Sequence, residues 1–310
     1  MLFDDLVGNL RDIIGKWWGD HLHTPKDGLD AFPKAFLKKN SSKWNPDVDL
    51  SKNILFGIKV EKVEKITDKK TEKVSVKVHG RNMDTGEVHV FAGDAVFLTV
   101  TLPILRQMDV PLREDQRSAI ANISYAASTK VMLQCKTRFW QKDVGQGGFS
   151  KTDMMIGQLH YPDYDGSGIP DDDRGILMVY TWGKDAVAFG AQTEQEAIRS
   201  AVSEIAKIHP EIIHEFEVGR VQAWGSDPSA QSAFVNLRPY EYIDSMDCLM
   251  KPAPPIYIAG EATSWANGWM QGAIFSSLKQ CALFQLNEMD STRRVQPFVL
   301  GELSKDGVLQ

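Results

Sequence analysis

No G-x-G-x-x-G occurs anywhere in the 310 residues. A dinucleotide diphosphate gripped by a tight glycine turn at a helix start needs that pattern, so no such finger is written here. Cysteine is scarce. Cys135, Cys248 and Cys281 stand far apart with no metal spacing, and they read as buried thiols in apolar surroundings. No apolar run approaches the roughly 18–20 residues of a membrane span. Positive charge is not in excess either. A net charge of −6 argues against nucleic acid or an anionic membrane surface as partner. The first twenty residues carry acids throughout and lack a continuous apolar core, so they do not read as a signal peptide, and no compartment is indicated. What is present, 43% hydrophobic and 25% charged residues, is ordinary for a globular chain long enough to bury a core.

The stretch from Pro255 to Leu286 organises the rest. Ile256 to Ala259 is a short apolar run of the kind a doubly buried strand shows. Gly260 and Glu261 follow at once, and Asn267-Gly268 is a turn pair. A helical pattern then begins at Trp269, with Ile274, Leu278, Cys281 and Leu286 on one apolar stripe. The start of that helix leaves N–H groups unpaired and a positive dipole end exposed, which suits an electron-rich ring edge. A carboxylate just past a buried strand end suits ribose hydroxyls or a phosphate held through water; an ordinary βα unit with a surface glutamate is the alternative.

Elsewhere the patterns are plainer. Residues 2–18 read as an amphipathic helix with Leu6, Leu10, Ile13 and Trp17 on one face. His21 and His23 lack further ligands at metal spacing. Three β-like runs cover residues 54–66, 74–80 and 87–100, the middle one alternating Val74, Val76 and Val78 with polar residues. Pro111 to Ile123 reads as a helix. Val131, Leu133 and Cys135 alternate with polar neighbours, and Lys130 opens that strand. Most lysines lie on the surface, and residues alone give Lys130 no more than that. Thr193 and Glu196 form a capping box for a helix to about His209, with Ala197, Ala201, Ile205 and Ile208 inward. The acidic, glycine-rich loop from Asp163 resembles a calcium loop too loosely to bind. Residues 291–310 read as a tail.

The stretch IYIAGEATSWANGWMQGAI resembles the C-terminal flavin segment of the FAD-dependent amine oxidases, the L-amino-acid oxidases in particular. The likeness runs from about Thr24 to about Asn287. Other carriers are Gly147-Gly148 with Thr152-Asp153, the strand MIGQLHYPDY, Tyr180-Thr181-Trp182-Gly183, and Trp224 with Asp227. The resemblance implies a mixed α/β, two-domain flavin amine oxidase fold. Residues 1–103 and 252–290 would be the remainder of its FAD-binding domain, and residues 104–251 the substrate domain. It implies Lys130 as the catalytic lysine that holds a water against the flavin, Val60 offering its backbone to the adenine ring, and Trp224 and Trp269 as cavity walls. Gly260, Glu261, Gly268, Met270 and Gln271 would complete the cofactor contacts, with Gly268 and Trp269 also facing substrate. His160 stands where these oxidases place a carboxylate-binding tyrosine, and Tyr161 takes that role if the register shifts by one. The implied cofactor is FAD, and the implied reaction partners are an amino acid or amine and dioxygen.

Departures accompany the likeness. Asp27-Gly28-Leu29 replaces Gly-Gly-Met, Ala262 replaces a residue that is often histidine, and Ser232-Ala233 replaces a glycine pair. With the finger missing, these weigh against FAD binding by this chain alone. An N-terminal partner chain or a homodimer would complete it. A non-catalytic binding module and a polyamine oxidase fragment are the alternatives.

Overall fold

The computed structural model describes residues 25, 28–38, 49–145, 147–162 and 173–288. The helix expected over residues 2–18, His21 and His23, most of the acidic loop and the tail lie outside them. Among the described residues no helix is long and apolar enough to cross a membrane, and no cluster of His, Cys, Asp or Glu could hold a metal. The chain is mixed α/β and divides into two compact units. One holds the residues up to Val96 with Gln107–Pro111; the other holds Phe97–Arg106 and everything from Leu112 on.

In the first unit a short helix, α1 (Ala31–Phe36), precedes an antiparallel meander of β1 (Ile58–Thr67), β2 (Val74–Asn82) and β3 (Val88–Gly93). Its turns are set by side chains that imitate backbone. The Asp68 carboxylate accepts from the amides of Lys70 and Thr71, and the Asn82 carbonyl accepts from those of Asp84 and Thr85, the usual Asx-turn device. Alternation buries Val63 and Val76. Val60 sits at a bulge, where its register against Gly80 shifts by one before Lys62. Two sequence expectations are corrected. Ile54, Leu55 and Phe56 precede the first strand and are exposed, and the run up to Val100 breaks at Gly93–Ala95 into β3 and β4 (Val96–Leu98).

The second unit is built on a sheet of β6 (Ser128–Cys135), β7 (Phe149–Lys151), β8 (Gln158–His160), β9 (Gly175–Trp182) and β10 (Phe216–Ala223), in the order β10-β6-β9-β8-β7. The period of two assigns each residue to a face. Val131, Leu133, Cys135, Leu159, Leu177 and Val179 point to one side, where each is fully buried with Trp140 and Phe189. Removing a side chain of this size from water stabilises by about 1.5–3 kcal/mol. Helices α2 (Glu114–Asn122), α3 (Gly183–Gly190), α4 (Glu194–Ile205) and α5 (Glu241–Met250) also belong to this unit. α4 starts at the expected capping box, with Glu196 N–H donating to Thr193 Oγ1 at 3.3 Å and Thr193 N–H donating back to the Glu196 carboxylate at 3.0 Å. Ala197, Ala201 and Ile205 face the core as the spacing predicts. A two-stranded ladder joins β5 (Tyr125–Ala126) to β11 (Phe234–Val235), and another joins β4 to β12 (Ile256–Ile258).

The last described helix, α6 (Met270–Glu288), reverses the expectation for its faces. Ile274, Leu278 and Leu286 are 58%, 60% and 79% exposed, while Gly272, Ser276 and Gln280 are buried. The cause is the loop beneath the helix, which carries backbone polar groups that need partners. Ser276 Oγ accepts from Gly260 N–H at 3.2 Å and pairs with Thr263 Oγ1 at 2.7 Å, and the Gln280 amide donates to the Met250 carbonyl at 3.0 Å. Cys281 is exposed on the outer side, which corrects its reading as a buried thiol. Cys248 is half-buried, and only Cys135 is fully buried, its thiol pushed up to about 12 by burial and by Glu215 and Glu217 nearby.

Candidate active site

Gly260 follows β12 with a φ of 146°, and a side chain there would meet nothing within 4 Å. The chain turns through Glu261–Thr263 and reaches Gly268, whose φ of 76° favours glycine. Glu261 ties this loop to β11. One carboxylate oxygen accepts from Gly268 N–H at 2.7 Å and the other from Val235 N–H at 3.1 Å. Burial raises its pKa, partly offset by those two bonds. Both carboxylate oxygens thus hold backbone, one of the loop and one of β11, and each keeps a further lone pair for another donor. Beside it, the Tyr125 hydroxyl accepts from Leu102 N–H at 3.3 Å, and burial, with Glu261 near, raises its pKa.

β11 carries the connection onward. Phe234 packs under Gly268, close enough that an added Cβ would sit 3.4 Å from its ring. Phe234 pairs with Ala126 and Val235 with Tyr125, and β5 runs directly into β6, whose third residue is Lys130. So the Gly268 loop and the Lys130 strand meet through one short ladder. A cavity of about 320 Å³ opens at this end of the sheet, lined among others by Tyr125, Thr129, Gly190, Ser226 and Ser232. Ser232 thus stands in a cavity wall, its hydroxyl donating to the Ala230 carbonyl at 3.2 Å.

Lys130 points to the opposite, open face. Register places a row of side chains there. Gln222 on β10 pairs with Lys130, Lys130 with Tyr180 on β9, Tyr180 with Gln158 on β8, and Gln158 with Lys151 on β7. A second row runs Met132, Met178, His160, Phe149. The rings form a continuous aromatic surface, with Phe149 stacked on His160 at 5.1 Å, His160 tilted against Tyr180 at 5.9 Å, and Tyr180 against Trp182 at 4.1 Å. The Lys130 ammonium lies 4.6 Å above the Tyr180 ring. His160 Nε2 meets Gln158 Oε1 at 2.9 Å. Burial, with Lys130 second, lowers the His160 pKa, so the imidazole is neutral at neutral pH.

Of the residues singled out from sequence, Lys130 and His160 share this face. Tyr161 does not. It is buried on the core side, its hydroxyl bonded to Ser150 Oγ at 2.8 Å and His209 Nε2 at 2.9 Å. Trp224 leads a short turn after β10 and is 38% exposed, Trp269 is half-buried, and Met270 and Gln271 are exposed at the start of α6. Val60 belongs to the other compact unit. Tyr180, Trp182 and Gln158 stood in the sequence only within stretches that carry the family likeness, and neither they nor Phe149 were assigned a role in the site.

The α6 end suits a flat ring system carrying both acceptors and an N–H donor. There is open space beside Gly260, no side chain at Gly268, the unpaired N–H groups of a helix start, and a buried Asn267 Oδ1 without a partner among the described residues.

The family model for flavin containing amine oxidoreductases matches residues 8–283, and the chain belongs to that family, whose members use a flavin. It is 27% identical over 280 residues to a putative L-amino-acid oxidase, YobN, of Bacillus subtilis, covering 88% of this chain and 55% of that protein. It is 29% identical over 256 residues to an L-amino-acid oxidase of Siganus canaliculatus, covering 81% and 45%. Among solved structures, the cyclohexylamine oxidase of Brevibacterium oxydans superposes with a TM-score of 0.58 at 18% identity, over 73% of this chain and 47% of that one. The chain thus spans about half the length of the relatives it matches.

Proposed function

We propose that this chain forms the substrate face and the isoalloxazine-side wall of a flavin-dependent oxidase that deaminates an L-amino acid. Residues 104–251 would serve substrate and residues 252–290 the flavin. When bound, the flavin supplies a two-electron acceptor that converts the amine to an imine, hydrolysed to a 2-oxo acid and ammonia, with hydrogen peroxide from reoxidation by dioxygen. The observation that carries the reading is the β5–β11 ladder, which ties the Gly268 loop to the strand of Lys130. Gly260, Gly268, Trp269, Met270 and Gln271 would line the flavin, and Trp224 would wall the cavity. Lys130 holds positive charge, and with it a water, where negative charge grows. The aromatic row from Phe149 to Trp182 excludes water and takes an apolar substrate side chain.

In flavin-loaded protein, Lys130→Met is expected to slow turnover or reoxidation by about 10²-fold, the scale of losing one preorganised electrostatic group. Stopped-flow flavin absorbance checks this, and unchanged kinetics would refute the role. A second reading, oxidation of an amine without a carboxylate, is favoured by His160, whose Nε2 is already engaged by Gln158. Oxygen uptake with matched amino acid and amine pairs separates the two.

A further inference from the structure

A lysine holds itself in place poorly. Its four-carbon stem is flexible and its ammonium is a strongly hydrated point charge. Among the described residues no carboxylate forms an ion pair with Lys130, and its β10 neighbour Gln222 donates instead to Asp227 at 3.2 Å. What lies against the ammonium is the Tyr180 ring, 4.6 Å from Nζ to centroid. That ring is itself fixed. Tyr180 is the direct cross-strand partner of Lys130, Trp182 closes one side at 4.1 Å and His160 the other at 5.9 Å. Small Ser128, the cross-strand partner of Trp182, puts no bulky side chain opposite the indole.

We propose that Tyr180 is the positioning residue of this site: the face of its clamped ring determines where the Lys130 ammonium sits on the open side of the sheet. The phenol oxygen is not needed for this. Attraction comes from the ring quadrupole, which phenylalanine retains and leucine lacks. The proposal rests on Lys130 being the working cation of the site.

Two measurements test it, one independent of any flavin. In the 310-residue chain, NMR should show the Lys130 ε-methylene protons shifted upfield by the ring current beneath them. The shift should persist in Tyr180→Phe and vanish in Tyr180→Leu. His160 is a second reporter. The described charged or titratable groups facing it are Lys130 on β6, Tyr180 on β9 and the exposed Lys151 on β7. Its titration midpoint should rise in Tyr180→Leu and in Lys130→Met, and stay put in Tyr180→Phe. In flavin-loaded protein, Tyr180→Leu should slow reoxidation about tenfold, the scale of one cation–π contact.

Unshifted Lys130 signals in the unsubstituted chain, or equal behaviour of the phenylalanine and leucine variants, would overturn the proposal. Should Tyr180→Leu fail to fold, a Lys130→Met chain with no rise in the His160 midpoint overturns it equally. Absence of oxidase turnover would sink the proposed function, while the NMR result would still decide the place of Tyr180.

Discussion

Gly272→Ala is expected to destabilise the protein by at least about 3 kcal/mol, the upper range for forcing atoms into a packed interior. A methyl group at this position would stand 2.0 Å from the Ala266 carbonyl oxygen, 2.4 Å from Ser264 Oγ and 2.8 Å from the Ala266 carbonyl carbon. Two of the three are backbone, so no rotamer change relieves them. Alanine would gain helix propensity of about 1 kcal/mol over glycine, and the clash outweighs it. α6 must lift off the loop, which breaks the Ser276 bonds to Gly260 and Thr263 as well. Urea unfolding of the variant should show a midpoint far below that of the parent. A midpoint within the error of the parent value would mean that helix and loop are not so close.

Glu261→Ala should be the next most damaging change, at about 1–3 kcal/mol, because it strands the N–H of buried Val235 and frees the loop at exposed Gly268. Glu261→Gln recovers only part, since its NH₂ faces one of those donors. The carboxyl also gives the protein a pH signature. Burial raises its folded pKa above the ordinary glutamate value, so the folded state holds this proton more tightly than the unfolded chain. The cost of burying the charge is therefore fully present above the folded pKa. It is relieved as pH falls through that value toward the unfolded one, and in that window the protein gains stability. Both variants should lose this slope, which denaturation at a series of mildly acidic pH values would show. A wild-type curve parallel to that of Glu261→Gln would contradict the burial. Because Glu261 and Gly272 act on one loop, their effects should not add.

The contrast between these residues and others marks what the sequence could disclose. The capping box at Thr193 and the alternation of Val131, Leu133 and Cys135 were legible because each depends on neighbours within a few residues. Alternation also separates His160 from Tyr161 once the strand is in place, but which of the two faces the open side depends on what packs below, and that is set by residues as distant as His209. The partners of Glu261 were hidden for another reason: they are backbone amides, which every residue possesses and no pattern advertises. The aromatic row needed the order β6-β9-β8-β7, a long-range fact, although Tyr180 and Trp182 stood two apart in plain view. Cys281 and the α6 stripe failed because hydropathy spacing gives the periodicity of a helix and not which of its sides is turned inward.

That inversion has a practical consequence for anyone scanning α6 by mutation. Tolerance should run opposite to chemical intuition. Lysine at Ile274 or Leu278 should leave unfolding free energy within about 0.5 kcal/mol of the parent, as solvent-facing sites do. Leucine at Ser276 or Gln280, a conventional "hydrophobic improvement", should cost several times as much, since each of those polar side chains bonds to backbone or hydroxyl groups below it. A ranking built on side-chain polarity alone would choose the harmful substitutions first.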